Sequence, residues 1–141
     1  MYKLLKLNDF RQFKNMDILL GKRLTVLAGR NSTGKSTILG VLANSGELKK
    51  KDGTTYSDGQ FRAEFSEIFH GSKKYDASGS DRIQIDIVDE NDNKIDYRKF
   101  RTAWQNDNGR DRFRVIPLKL LDGGKKTEAK MQIPVLYLGL S

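Results

Sequence analysis

The chain has 141 residues, 37% hydrophobic and 31% charged, with a net charge of +8 and no cysteine. That length suits one domain, and the composition excludes disulfides and thiolate metal sites while agreeing with a cytoplasmic setting. No run approaches the ~20 apolar residues that cross a bilayer, and the positive balance favours polyanionic partners, whether nucleotide, nucleic acid or an acidic protein face.

In chain order, "YKLLKL" (residues 2–7) reads as a strand, and "DILL" (residues 17–20) as its antiparallel partner. "RLTVLA" (residues 23–28) is a continuous apolar run that suits a strand buried on both faces of a parallel sheet. Ile38, Leu39, Val41 and Leu42 then repeat with helical spacing, and Asn44-Ser45-Gly46 ends that helix with Gly46 as a left-handed cap. Residues 47–60 are polar and Gly-rich and read as a loop. Phe61, Phe65 and Phe69 stand four apart, a spacing that favours a helix over residues 61–71. "RIQIDIVDENDNKIDYRKF" (residues 82–100) is the clearest β signal. Ile83, Ile85 and Ile87 alternate with polar residues, a polar turn follows, and Ile95 and Tyr97 begin a return strand. "RFRVIPLKLL" (residues 112–121) reads as a further strand, Asp122-Gly123-Gly124 as a turn, and residues 131–141 as an apolar strand.

Between the apolar run and the helix lies "GRNSTGKST", which fits G-x-x-x-x-G-K-[ST] at every position. Gly29 and Gly34 remove side chains where backbone must approach a ligand or adopt positive φ. Backbone N–H groups around Asn31, Ser32, Thr33 and on to Thr37 would surround phosphate oxygens at the positive end of a helix. Lys35 would bridge the β- and γ-phosphates, Ser36 would ligate Mg²⁺, and Thr37 supplies the next hydroxyl. The pattern therefore predicts a site for a nucleoside triphosphate with Mg²⁺.

Hydrolysis needs more: a second acidic residue on Mg²⁺ and a group that orients water. "IDIVDE" (residues 85–90) has the ending of a Walker B box, but Gln84 and Asp86 mark a strand with one polar face, and Asp89 and Glu90 open a turn. "LLDGGKK" (residues 120–126) has a Gly-Gly pair like an ABC signature, but Asp122 would repel a γ-phosphate where that signature has serine. His70 stands without a second histidine or a cysteine, so no metal site is expected there. Trp104 with Tyr97, Phe100 and Arg101 reads as core and rim rather than a base-stacking platform. The basic residues are scattered, which leaves DNA as a weakly signalled partner.

The opening "LLKLNDFRQFKNMDILLGKRLTVLAGRNSTGKSTIL" resembles that of the SMC-like and RecF-like ABC ATPases, including bacterial AAA-type and OLD-type ATPases. "DFRQF", Leu24-Thr25-Val26-Leu27, Asn31 and Lys35-Ser36-Thr37 fill that family's places over roughly the first 45 residues. The resemblance implies an α/β fold: a P-loop NTPase core, lobe I of an ABC-type head, with an antiparallel β-subdomain in the hairpin at residues 82–100. It implies that Arg11 lies near bound ATP and that two heads sandwich two nucleotides in a head-to-head dimer. The family's Q-loop glutamine has no counterpart at the end of "PVLYLGLS", since Gln132 precedes that stretch. Residues 1–141 are thus expected to be an N-terminal lobe that stops before the helical insertion, signature and Walker B. Its partner would be the C-terminal half of the same ATPase or another lobe, with no membrane involved. Alone it would be a weak ATPase at most. The rivals are a non-catalytic interaction module that keeps the loop, and another P-loop enzyme such as a small kinase or GTPase.

Overall fold

The computed structural model describes residues 1–30 and 34–138. Nine strands and two α-helices follow in chain order among them. β1 (Tyr2–Phe10) and β2 (Phe13–Leu19) form a hairpin, then α1 (Lys35–Asn44), β3 (Gly46–Leu48), β4 (Phe61–Arg62) and α2 (Phe65–Ile68). The long strands β5 (Gly79–Val88), β6 (Lys94–Asp107) and β7 (Arg110–Leu120) precede β8 (Lys126–Thr127) and β9 (Met131–Gln132).

A six-stranded sheet of order β2-β1-β5-β6-β7-β8 is antiparallel at every pairing. Alternation explains its burial. Leu5, Leu7, Ile83, Ile85, Phe100, Phe113 and Val115 are all buried in one cluster, as period-2 strands with one covered face require. The cover is α1, which contributes Ile38 and Val41, and α2, which contributes Phe65. Burial of Phe65, 1% exposed, stabilises this junction by about 2–3 kcal/mol.

Asn44, fully buried at the end of α1, joins three elements. Its Nδ2 donates to Val115 O at 2.9 Å on β7, and its Oδ1 accepts from Phe65 N at 3.0 Å. Beside it, a second sheet of order β4-β3-β9 contains the one parallel pairing among the described residues, β3 with β9.

The hairpin expected at residues 82–100 is present and longer than its signal, running from Gly79 to Asp107. The first hairpin is present as well, turning at Arg11 and Gln12 within "DFRQF", with both strands longer than their signals. Five other expectations are corrected. Residues 23–28 form no strand, and Leu24 and Val26 are 78% and 76% exposed. A buried parallel strand needs neighbours on both edges, and none of the described strands pairs with this segment. Gly46 is not a left-handed cap. The helix ends at Ser45 with right-handed angles, and Gly46 opens β3. Glycine fits there because a Cβ would lie 2.9 Å from Ile133 O. The helix at residues 61–71 shrinks to the single turn of α2, closed at its start by the Glu64–Glu67 capping box and at its end by the extended backbone of Phe69. In the loop expected at residues 47–60, β3 and a 3-10 turn at Lys50–Asp52 are present. Last, within the described part of the final apolar run only Met131–Gln132 is a strand, and residues 139–141 lie outside the described ones. The molecule is mixed α/β with a mostly antiparallel sheet.

Candidate functional site

The helix that follows the Gly-rich motif begins where the motif predicts, at Lys35. Gly34 stands at its N-cap with φ 92°, ψ 11°, in the left-handed region, and offers no side-chain cap. Only glycine adopts that conformation without steric cost. It is also crowded, since a Cβ there would collide with Gln12 Nε2 and Phe13 Cζ and sit 2.9 Å from Phe13 Cε2. The turn of the β1–β2 hairpin therefore rests directly on the end of the loop. Its sequence "DFRQF" brings Gln12 and Phe13 against Gly34, with Arg11 next to them in the turn.

Lys35 folds back across the motif. Its Nζ donates to the carbonyl oxygens of Gly29 and, at 2.9 Å, Arg30. Ser36 is exposed, whereas Thr37 is only 4% exposed and turned into the protein. Asn31, Ser32 and Thr33 lie outside the described residues. The described part of the motif thus shows an ammonium held by the carbonyls of Gly29 and Arg30, an exposed hydroxyl on the next residue, and a helix N-terminus.

Arg11 stands in the hairpin turn with φ 52°, unusual for a residue with a Cβ. Its guanidinium carbon lies 5.2 Å from the centroid of Phe69, and its Nε lies 3.9 Å from Asp76 Oδ1. The Nη1 atom is buried with no hydrogen-bond partner. A buried donor without an acceptor costs about 1–3 kcal/mol, so it marks a place where an oxyanion would be stabilised.

These features fit a nucleoside triphosphate: a left-handed glycine at the helix N-terminus, a lysine ammonium folded back onto the Gly29 and Arg30 carbonyls, and an orphaned guanidinium nitrogen on the hairpin turn that packs on Gly34. Ser36 could give Mg²⁺ one oxygen, and the ion would depend on the phosphates for more, as is usual for Mg²⁺. Among the described residues no group of three or more His, Cys, Asp or Glu could hold a metal by itself.

The other sequence features lie elsewhere. β5 carries only the "IDIV" of "IDIVDE" and is paired antiparallel on both edges, and Asp89 is consumed by the turn that follows. Its Oδ1 accepts from Asn91 N at 2.8 Å and Asn93 N at 3.0 Å, and these bonds hold the carboxyl below its usual range. The Gly-Gly pair at Gly123 and Gly124 is a turn with both φ values near 80°. His70 is exposed. Trp104 belongs to the frame, with its Nε1 donating to Asp76 O at 2.7 Å and its ring 5.3 Å from Phe113. Phe69 was read from sequence only as part of a helical spacing, and Asp76 only as part of a polar loop. Nothing in the spacing of residues 11, 69 and 76 signals that they meet.

No helix among the described residues is long and apolar enough to cross a membrane. No curated protein and no solved structure matches the chain. The profile of one family does, over residues 1–129, and that family is the AAA ATPase domain. Since this span covers the hairpin, the Gly-rich motif, α1 and the long antiparallel sheet, the chain belongs to the AAA ATPase domain family, whose members are nucleotide-binding.

Proposed function

We propose that this chain is the Walker A half-site of an SMC-like or RecF-like ATPase head, binding ATP with Mg²⁺ and incomplete for hydrolysis by itself. The observation that carries the reading is the convergence at the start of α1: Lys35 folds back onto the Gly29 and Arg30 carbonyls, and Gln12 and Phe13, next to Arg11 in the hairpin turn, rest on Gly34. Lys35 and Arg11 bind phosphate oxygens, loop N–H groups between Gly29 and Thr37 cradle them, and Ser36 offers its hydroxyl to Mg²⁺. Bound Mg²⁺ would neutralise phosphate charge. No described acid beside the loop supplies the second function that hydrolysis needs.

The incompleteness is supported by the surface around α1. Leu24, Val26, Leu39, Leu136 and Leu138 are each at least 48% exposed. Two clefts, of about 310 and 390 Å³, share Leu39 and Leu42 and are lined by residues 25 and 27 on one side and 135–138 on the other. Apolar segments of this kind want strand neighbours and a covering layer, which the C-terminal half of the head or a partner lobe would supply. Two such heads would close face to face on nucleotide, and the whole would act on DNA or in genome maintenance or defence. The same surface would also serve a non-catalytic interaction module that keeps the loop for binding alone.

Calorimetric titration with ATP–Mg²⁺ and GTP–Mg²⁺ tests the reading, with Lys35→Ala as the control. ATP is expected to bind the wild-type chain and to lose more than about tenfold in affinity in the variant, with little turnover in either. Added complementary half should restore turnover, and its failure to do so would favour the interaction module. Preference for GTP would favour another class of P-loop enzyme.

A further inference from the structure

Arg11 is held from three directions, and one of them has no purpose in the antiparallel sheet. Its backbone takes a left-handed φ of 52°. The guanidinium lies over Phe69, a ring packed against Phe65 with centroids 5.0 Å apart. Gly40 of α1 makes room for that ring, since a Cβ there would lie 2.7 Å from Phe69 Cε2. The third hold is Asp76, only 4% exposed, which faces the Nε side of the guanidinium at 3.9 Å.

Asp76 is itself immobilised. Ser72 N donates to its Oδ2 at 2.8 Å, its own N–H donates to Ser72 O at 2.7 Å, and its carbonyl accepts Trp104 Nε1 at 2.7 Å. A carboxylate fixed this firmly could saturate an arginine with two short hydrogen bonds. It stands instead at the limit of ion pairing and engages only one side, leaving Nη1 buried without a partner. The attraction orients the guanidinium without consuming its donors. The next two residues, Gln12 and Phe13, rest on Gly34, so the turn that carries Arg11 packs against the end of the phosphate loop.

We propose that Asp76 is a positioning residue which, with Phe69 beneath the guanidinium, aims Arg11 at the phosphate oxygens of a nucleotide bound in the loop. This rests on the nucleotide-binding reading above and assigns to the segment at residues 69–76 a part in it. Asp76 touches no ligand. It acts through Arg11 alone, and that sets the test.

The experiment is a double-mutant cycle read by calorimetric titration with ATP–Mg²⁺, using wild type, Arg11→Ala, Asp76→Asn and the double variant, with Lys35→Ala alongside. Each single substitution is expected to weaken ATP roughly tenfold, and the double variant should match Arg11→Ala within about twofold. Phe69→Leu, which removes the ring and keeps a buried apolar group, is expected to weaken ATP about threefold. It also provides a second handle should Asp76→Asn fail to fold. Losses that multiply in the double variant would overturn the proposal, because Asp76 would then act through the fold. So would wild-type affinity in Asp76→Asn or, in its place, in Phe69→Leu. If those variants bind normally while Lys35→Ala does not bind, the positioning role fails and the nucleotide site stands. If Lys35→Ala binds ATP as wild type does, the phosphate-loop reading itself fails, and the role of Asp76 with it.

Discussion

Replacing Gly34 by alanine would place a methyl group against Gln12 and Phe13 in a backbone conformation, φ 92°, that alanine resists. The left-handed strain alone costs about 1–2 kcal/mol, and the collision must push the hairpin turn away from the loop. Gly34→Ala is therefore expected to lower the thermal midpoint and abolish ATP binding together, whereas Lys35→Ala should abolish binding with little change in midpoint. Scanning both variants by calorimetry separates the two effects. Gly34 was readable in the sequence because the motif fixes its chemistry locally. Asn44 was not, because its partners lie 21 and 71 positions away. Its importance is nonetheless calculable. Asn44→Ala leaves the Phe65 N–H and the Val115 carbonyl buried and unpaired, a loss of about 2–4 kcal/mol that should appear as a lower urea midpoint. Asp76 escaped for the same reason, since an aspartate in a polar loop signals a turn before it signals a partner for Arg11.

Among the elements, the strands were legible where one face is buried. Ile83, Ile85 and Ile87 alternate because the core covers one side of β5; burial follows that pattern at Ile83, Gln84 and Ile85, whereas from Ile85 to Val88 every residue is buried. The turn between β6 and β7 was equally available in "DNGR". Asn108 and Gly109 take φ values of 50° and 80°, as a tight hairpin between twisted strands requires, and this joins two segments first read separately. The short α2 shows the opposite limit: the four-residue spacing of Phe65 and Phe69 is real, but one helical turn satisfies it. Just before it, Glu64 lies against Arg62 and, at 3.1 Å, Lys130, whose side chain is 7% exposed. Burial would raise the Glu64 carboxyl, but the hydrogen bond from Arg62 and the charge of Lys130 outweigh it and hold it below its usual value. The unfolded chain then binds the proton first as pH falls. This contribution is complete above the ordinary carboxylate pKa of 4.5 and is lost as pH drops through the lower folded value. Glu64→Gln should therefore flatten the acid limb of stability measured against pH. At neutral pH it should cost about 2 kcal/mol or more, because Lys130 stays buried without its countercharge.

At the scale of the molecule, the segment at residues 23–28 shows where sequence pattern and fold part. Its composition is that of a strand covered on both faces, yet Leu24 and Val26 stand in solvent. Residues 131–138 repeat the situation. Met131 is buried, and outward Leu136 and Leu138 are 60% and 84% exposed. An apolar run states that its residues are to be buried without stating by what, and α1 covers only one side of each run. If these segments form a surface meant to be covered, the isolated chain should bind an apolar fluorescent dye and self-associate with rising concentration. Replacing Leu24, Val26, Leu136 and Leu138 together by serine should abolish both. These side chains are mostly exposed, so each substitution should change stability by no more than about 0.5 kcal/mol. The two measurements are therefore independent. Sedimentation reads the association and thermal unfolding reads the fold, and a variant that still associates at an unchanged midpoint would move the adhesive face elsewhere. A variant that stays monomeric and still binds ATP would show that the phosphate loop works without a cover on that face. ATP binding lost at an unchanged midpoint would instead tie the loop's geometry to the apolar run that leads into it.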